Sequence, residues 1–204
     1  MKIAIIDYGM GNIHSVAKAI QVCGVKPVIT NKKEEIRLAD KLLLPGVGAF
    51  DDAMQELNKL GLVDVILEQV NRKKPLLGIC LGMQLLLESS QEAKVKGGLG
   101  ILGGEVVKFT SRAGLKVPHM GWNECKVVAQ DCLLLKDVDA CGQVYYCHSY
   151  YPEPADKSVI AATCDYGPGF GCVLWKDNVY GVQFHPEKSQ SIGLRIIRNF
   201  IELC

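Results

Sequence analysis

Pro75-Leu76-Leu77-Gly78-Ile79-Cys80-Leu81-Gly82-Met83-Gln84 is the stretch on which the fold turns. Pro75 to Ile79 is nearly all apolar, the mark of a strand covered on both faces, as in a parallel sheet between two layers of helices. The chain then passes directly into a helix, predicted from about Leu81 to Glu88. Gly78-Ile79-Cys80-Leu81-Gly82 at that junction is the cysteine counterpart of the G-x-S-x-G nucleophile elbow. A tight strand-to-helix turn holds its central residue in strained geometry and projects it from the sheet edge. Glycines two before and two after let strand and helix approach closely. The helix N-terminus favours thiolate at Cys80, and the N–H of Leu81 points where an oxyanion would form. The plain alternative, a buried structural cysteine beside packing glycines, fits most cysteines. Here the two glycines and the strand-to-helix setting weigh against it.

Outward from this junction the first half alternates strand and helix. Ile3 to Ile6 is an apolar run closed by Asp7. Ile13, Val16, Ala17, Ile20 and Cys23 recur at helical spacing, with Gly24 as the stop. Pro27 to Thr30 reads as a second strand. Asn31 with Glu34 reads as a capping box opening a short helix. Lys41 to Leu44 is a third strand ending in Pro45-Gly46-Val47-Gly48, and helical periodicity returns through Ala53, Met54, Leu57 and Leu60 and again from Leu62 to Val70. This βαβα order predicts an α/β fold with a mostly parallel sheet and helices on both faces. The second half differs. Short strand candidates at 106–109, 125–128, 144–148, 159–164, 171–175 and 179–184 predict an antiparallel extension or a second sheet. A helix face closes the chain over Ile192 to Cys204.

The 204 residues favour a single domain, 1–204. Scaling laws predict a folded surface of about 9,400 Å², enough burial for a core without staples. Lys and Arg number 23 against 22 Asp and Glu, so charge offers no argument for nucleic acid or an anionic membrane. No run approaches the ~20 apolar residues of a membrane span, and a cytoplasmic protein is the expectation. Nine cysteines are an odd number, and none forms a C-x-x-C pair, which argues against a disulfide framework or a zinc knuckle.

A cysteine nucleophile needs a base. Of His14, His119, His148 and His185, the last stands in Phe184-His185-Pro186-Glu187. Pro186 biases His185 to extended backbone, where positions i and i+2 share a face. Glu187 is thus placed to hold the imidazole tautomer. His148, in Tyr146-Cys147-His148-Ser149-Tyr150, is the rival base but lacks such a carboxylate and reads better as a pocket residue. The glycine-flanked loop at Val47 and Gly48 follows the third strand at the edge where α/β sheets bind ligands. It serves equally well as an oxyanion donor or as an ordinary turn.

Taken in order, Asp7-Tyr8-Gly9-Met10-Gly11-Asn12, Pro45-Gly46-Val47-Gly48, Gly78 to Gln84, Pro118-His119-Met120-Gly121-Trp122-Asn123, His148-Ser149-Tyr150 and His185-Pro186-Glu187-Lys188-Ser189 resemble the class I (triad) glutamine amidotransferases. The resemblance runs from residue 7 to the C-terminus. It implies a flavodoxin-like sheet with an added β-region, glutamine as substrate, and glutamate and ammonia as products. It implies Cys80 as nucleophile, His185 as acid and base, and Glu187 as its orienter. Leu81 and one of Val47 or Gly48 would form the oxyanion hole. Gln84, Glu92, His148, Ser149 and Tyr150 would hold the glutamine, Glu92 suiting its α-ammonium by charge. No cofactor or metal is implied. The motifs most resemble members that pass ammonia to a (β/α)₈-barrel cyclase subunit, a heterodimer partner, with Asn12, Met120, Trp122 and Lys188 at the mouth facing it. Three other readings compete: the same chemistry serving another synthase, an idle subunit on the same fold, and a self-sufficient peptidase or γ-glutamyl hydrolase.

Overall fold

The computed structural model describes residues 1–94, 97–110 and 114–204. Its first half runs β1 (Ile3–Ile6), α1 (Ile13–Val22), β2 (Val28–Thr30), α2 (Lys33–Leu38), β3 (Lys41–Gly46), α3 (Phe50–Lys59), α4 (Leu62–Asn71), β4 (Leu76–Cys80) and α5 (Leu81–Gln84). The second half runs β5 (Ser89–Ser90), β6 (Gly104–Lys108), β7 (His119–Val127), β8 (Cys141–His148), β9 (Tyr150–Pro154), β10 (Ile160–Cys164), β11 (Phe170–Lys176), β12 (Val179–Val182) and α6 (Gln190–Glu202). One sheet has nine strands in the order β2-β1-β3-β4-β12-β11-β10-β7-β8. The first five are parallel and the rest pair antiparallel. A separate three-stranded sheet has the order β5-β6-β9. The antiparallel extension and the second sheet are therefore both present. The accessible surface is 9224 Å².

Strand alternation distributes the core to two faces. Ile3 and Ile5 join a cluster with Val16 and Ile20 of α1 and Ile197 and Phe200 of α6. Ala4 and Ile6 point the other way, to Ile36 of α2, Leu57 of α3 and Ile66 of α4. The parallel half is thus covered on both sides, which is why β4 is apolar at successive positions. Lys41 at the start of β3 is buried, and its ammonium donates to the carbonyls of Phe200 and Ile201, each at 2.8 Å, and to that of Cys204. It satisfies the free carbonyls at the end of α6 and ties that helix to the sheet. No described helix is long and apolar enough to cross a membrane.

Two local expectations are corrected. The capping box at Asn31 does not form. Lys32 takes the N-cap position of α2 and no side chain caps it, because Thr30 Oγ1 accepts the Lys32 N–H at 3.0 Å and carries the turn one residue further. The helix after Cys80 ends at Gln84, not near Glu88. The carbonyls of Leu85, Leu86 and Leu87 are taken by the N–H groups of Leu99, Leu102 and Gly100 at 2.8, 2.9 and 3.2 Å. The helix stops earlier than these residues because its donors are diverted. The N–H groups of Leu86 and Leu87 turn to Met83 O and Gln84 O, each at 3.1 Å, and that of Glu88 goes to Gly104 O of β6 at 3.2 Å. The i→i−4 bonds to the carbonyls of Gly82, Met83 and Gln84 are therefore not made.

Candidate active site

Cys80 has φ 55° and ψ −111°. This is a sparsely populated region for a residue with a side chain, and it costs about 1–3 kcal/mol unless the surroundings enforce it. They do so through the absence of two side chains. A Cβ on Gly78 would lie 2.7 Å from the carbonyl oxygen of Gly82, and one on Gly82 would lie 1.7 Å from that of Leu44. Only bare backbone lets α5 sit this close to β3 and β4. No side chain caps α5, so its first N–H groups have no partner within the helix.

His185 follows β12, the strand next to β4. Its backbone N–H donates to Tyr145 O at 2.9 Å. Its Nδ1–H donates to Glu187 Oε1 at 2.9 Å, with the two side chains 5 % and 1 % exposed. His185 is extended before Pro186, at φ −99° and ψ 96°, as the sequence suggested, but Glu187 is not reached along extended chain. The strand ends at Val182, and Pro186–Lys188 form a single 3₁₀ turn that brings Glu187 back under the ring. Ser189 locks the turn. Its hydroxyl donates to His185 O at 2.7 Å and accepts the Tyr145 N–H at 3.0 Å. Glu187 Oε2 is buried with no partner among the described residues, so the carboxylate's one hydrogen bond is to the imidazole. Burial would push the His185 pKa down, but the Cys80 sulfur and the Glu187 carboxylate reverse this and lift it to about 10. With Nδ1 engaged by Glu187, Nε2 is the nitrogen left for Cys80.

Cys80 and His185 open on a cavity of about 350 Å³, within the range for small-ligand sites. Val47, Gly48 and Leu81 line it beside the sulfur, as do Gln84, Glu92, His148, Ser149 and Tyr150 further out. Glu92 Oε2 accepts the Phe50 N–H at 2.9 Å, which fixes the carboxylate at the start of α3. Lys188 lines the same cavity. Asn12 lies outside it, half-buried. Met120 and Trp122, 61 % and 48 % exposed, also lie outside, on the β7 face. Trp122 packs edge-on to Tyr145 at 6.0 Å, and the Lys188 ammonium sits 5.6 Å above the same ring.

Four contributors escaped the sequence reading. Gln183 is fully buried, donates to Cys80 Sγ at 3.8 Å, and accepts from Gln84 Nε2 at 3.1 Å. Gln84 Nε2 also donates to Tyr150 O at 2.8 Å. The available signal was a glutamine inside an apolar strand end, which buried polarity makes costly unless it is used. Ser189 and Tyr8 are the second and third. The fourth, His119, forms a chain with His148. Tyr150 O can only accept, so His148 Nδ1–H donates to it at 2.8 Å. His148 Nε2 must then accept from His119 Nδ1–H at 3.0 Å, and His119 Nε2 from Asn123 Nδ2 at 3.2 Å. With both ring nitrogens engaged inside the protein, His148 has no lone pair left to serve as a base.

Burial pushes the pKa of His119 down to about 4 and that of His148 to about 3. The unfolded chain takes up these two protons near pH 6.5 and the folded chain does not. The contribution of these two histidines to stability is therefore full above 6.5 and lost as pH falls toward 4, by up to about 1.4 kcal/mol per pH unit for each. In urea titrations between pH 7 and 4.5, His119→Gln is expected to halve the slope of stability against pH, whatever its effect on the absolute value. An unchanged slope would place the proton uptake elsewhere.

Comparison with known proteins matches the chain, over residues 4–203, to the family described as glutamine amidotransferase class-I. The imidazole glycerol phosphate synthase subunit HisH of Geobacter sulfurreducens is 48 % identical over 99 % of both chains. The HisH 1 subunit of Campylobacter jejuni is 48 % identical over 98 % of this chain and all of its own. Among solved structures, PurLQS from Thermotoga maritima superposes with a TM-score of 0.76 at 16 % identity, covering 98 % of this chain and 97 % of that one, a likeness of fold. Because the family match spans both the Cys80 elbow and the His185–Glu187 turn, and relatives share nearly half their residues with it end to end, the chain belongs to the class-I glutamine amidotransferases.

Proposed function

We propose that this chain is the glutaminase subunit of an imidazole glycerol phosphate synthase, working as one domain over residues 1–204 in the cytoplasm. The observation that carries the chemistry is the Cys80 elbow opposite a buried imidazole–carboxylate pair at 2.9 Å. The 48 % identity to synthase subunits supports the choice of pathway.

Glutamine enters the cavity with its α-ammonium toward Glu92 and its backbone groups among Gln84, His148, Ser149 and Tyr150. The Cys80 thiolate attacks the carboxamide carbon. Negative charge moves to the oxygen, where the N–H of Leu81 and one from Val47 or Gly48 meet it. The His185 imidazolium, held by Glu187, gives its Nε2 proton to the departing nitrogen. The C–N bond breaks, ammonia leaves and a thioester remains. Neutral His185 then takes a proton from water, the hydroxide adds to the thioester, and glutamate departs as Cys80 is restored.

Ammonia released into neutral water is mostly protonated and no longer nucleophilic. A hydrolase of this kind therefore has use for a partner seated over the cavity mouth. The partner in this reading is a (β/α)₈-barrel cyclase, contacting Met120, Trp122, Lys188 and Asn12. The test is glutamate release from glutamine, measured on the chain alone and then with a cyclase subunit and its nucleotide ligand. A low basal rate rising at least tenfold is expected. A rate indifferent to the cyclase would indicate another synthase or a self-sufficient hydrolase, and no rate in either condition an idle subunit.

A further inference from the structure

Tyr8 is 2 % exposed, and its hydroxyl has no hydrogen-bond partner among the described residues. Phenylalanine would fill the same space without burying a bare O–H, which a protein interior disfavours. The side chain is aimed, not incidental. Asp7 Oδ1 accepts the Gly9 N–H at 3.1 Å, and Gly9 has φ 85°. That tight turn closes β1, and the ring belongs to the core cluster that holds Leu44, Phe50 and Leu81. The hydroxyl fills the place of the missing side chain of Gly46: a Cβ there would lie 2.5 Å from the Tyr8 oxygen, 2.9 Å from Gly82 N and 3.0 Å from Leu81 Cβ. Gly46 is itself the residue paired with Cys80 across β3 and β4. The phenol therefore rests against the first turn of α5, beside the elbow. Its own ionisation is strongly suppressed, first by burial and then by the charge of Cys80.

We propose that Tyr8 is a positioning residue that acts through Cys80: its rotatable O–H dipole, unpartnered at rest, turns toward the sulfur when Cys80 becomes a thiolate and stabilises that anion. The hydroxyl stays protonated throughout, so no bond to it forms or breaks. His185 supplies a full charge from one side and Gln183 an N–H from another. Tyr8 adds an oriented dipole from below, in a site where low dielectric strengthens such terms. The inference rests on Cys80 being the nucleophile.

The experiment compares Tyr8→Phe with the parent chain. The rate of alkylation at Cys80 by chloroacetamide is followed from pH 5 to 10, with the labelled peptide identified by mass. Thermal melts and glutaminase kinetics accompany it. The midpoint of the alkylation profile is expected to rise by about half a pH unit, a threefold loss of thiolate below the midpoint. The expected kcat falls by a similar factor at unchanged KM, and Tm stays the same or rises. An alkylation profile identical to the parent's overturns the proposal. A fall in Tm also overturns it, since the hydroxyl would then be an ordinary structural bond. If chloroacetamide does not label Cys80 in the parent at all, the failure lies with the nucleophile assignment and takes the proposal with it.

Discussion

Cys80→Ala is expected to lower glutamine hydrolysis by about 10⁴-fold or more, the scale on which losing a nucleophile acts when nucleophile and base work as a unit. The substitution removes the sulfur alone and leaves a Cβ at φ 55°, so the elbow and its glycine contacts persist. Thermal stability and association with the proposed cyclase partner should be unchanged. Glutamate release by a coupled assay, read beside a thermal melt, separates the two effects. Residual turnover within tenfold of the parent would refute Cys80 as the attacking group. Loss of both activity and fold would show that the sulfur, not the backbone, holds the turn.

Gly82→Ala is expected to be the most damaging single methyl in the protein for stability. Its Cβ would stand 1.7 Å from the carbonyl oxygen of Leu44. That oxygen belongs to β3, whose Leu44 is paired with Gly78 of β4, so it cannot retreat without opening the parallel ladder beneath the site. A loss above about 4 kcal/mol is expected, in the range reserved for direct steric conflict. For a chain of this size that is a fall in Tm of about 8–16 °C. Gly103→Ala is the control, since its nearest contact would be an ordinary 3.8 Å. A Gly82→Ala protein melting with the control would mean that α5 can lift off the strand, and that the elbow is not held by close approach.

Much of this arrangement was legible beforehand because it depends on residues whose types have few uses. Apolar runs at 3–6, 42–44 and 76–79 marked three strands of the parallel half, and glycines flanking Cys80 marked the elbow. The run at 179–184, grouped with the antiparallel candidates, instead forms β12, parallel to β4 on one side and antiparallel to β11 on the other. His185 and Glu187 were paired correctly, though by a 3₁₀ turn in place of extended chain. What was illegible depends on partners distant in sequence. Helix α5 stops at Gln84 as the chain is drawn off to β6, where the Glu88 N–H meets Gly104 O, which no local pattern announces. Strand β9 contains Pro152 and Pro154 and was not foreseen. It is tolerated because β9 lies at the edge of its sheet. Gln183, Ser189, His119 and Tyr8 look like strand or turn residues until the fold places Gln183 on the sulfur and the others around the groups that frame it.

The adjacency of β4 and β12 sets one further condition. Ile79 and Val182 are register partners in a parallel pair, so Cys80, one residue on, and the segment leading to His185 leave the sheet from neighbouring strands roughly 4.8 Å apart. That ladder is a ruler built into the framework, and its graduation cannot be altered without unzipping strands. The strand spacing is thus a constant of the architecture, and the final placing of the imidazole falls to the Ser189 hydroxyl beyond the strand's end. Any adjustment of the pair has to come from beyond the end of the ruler, in the turn of residues 183–189.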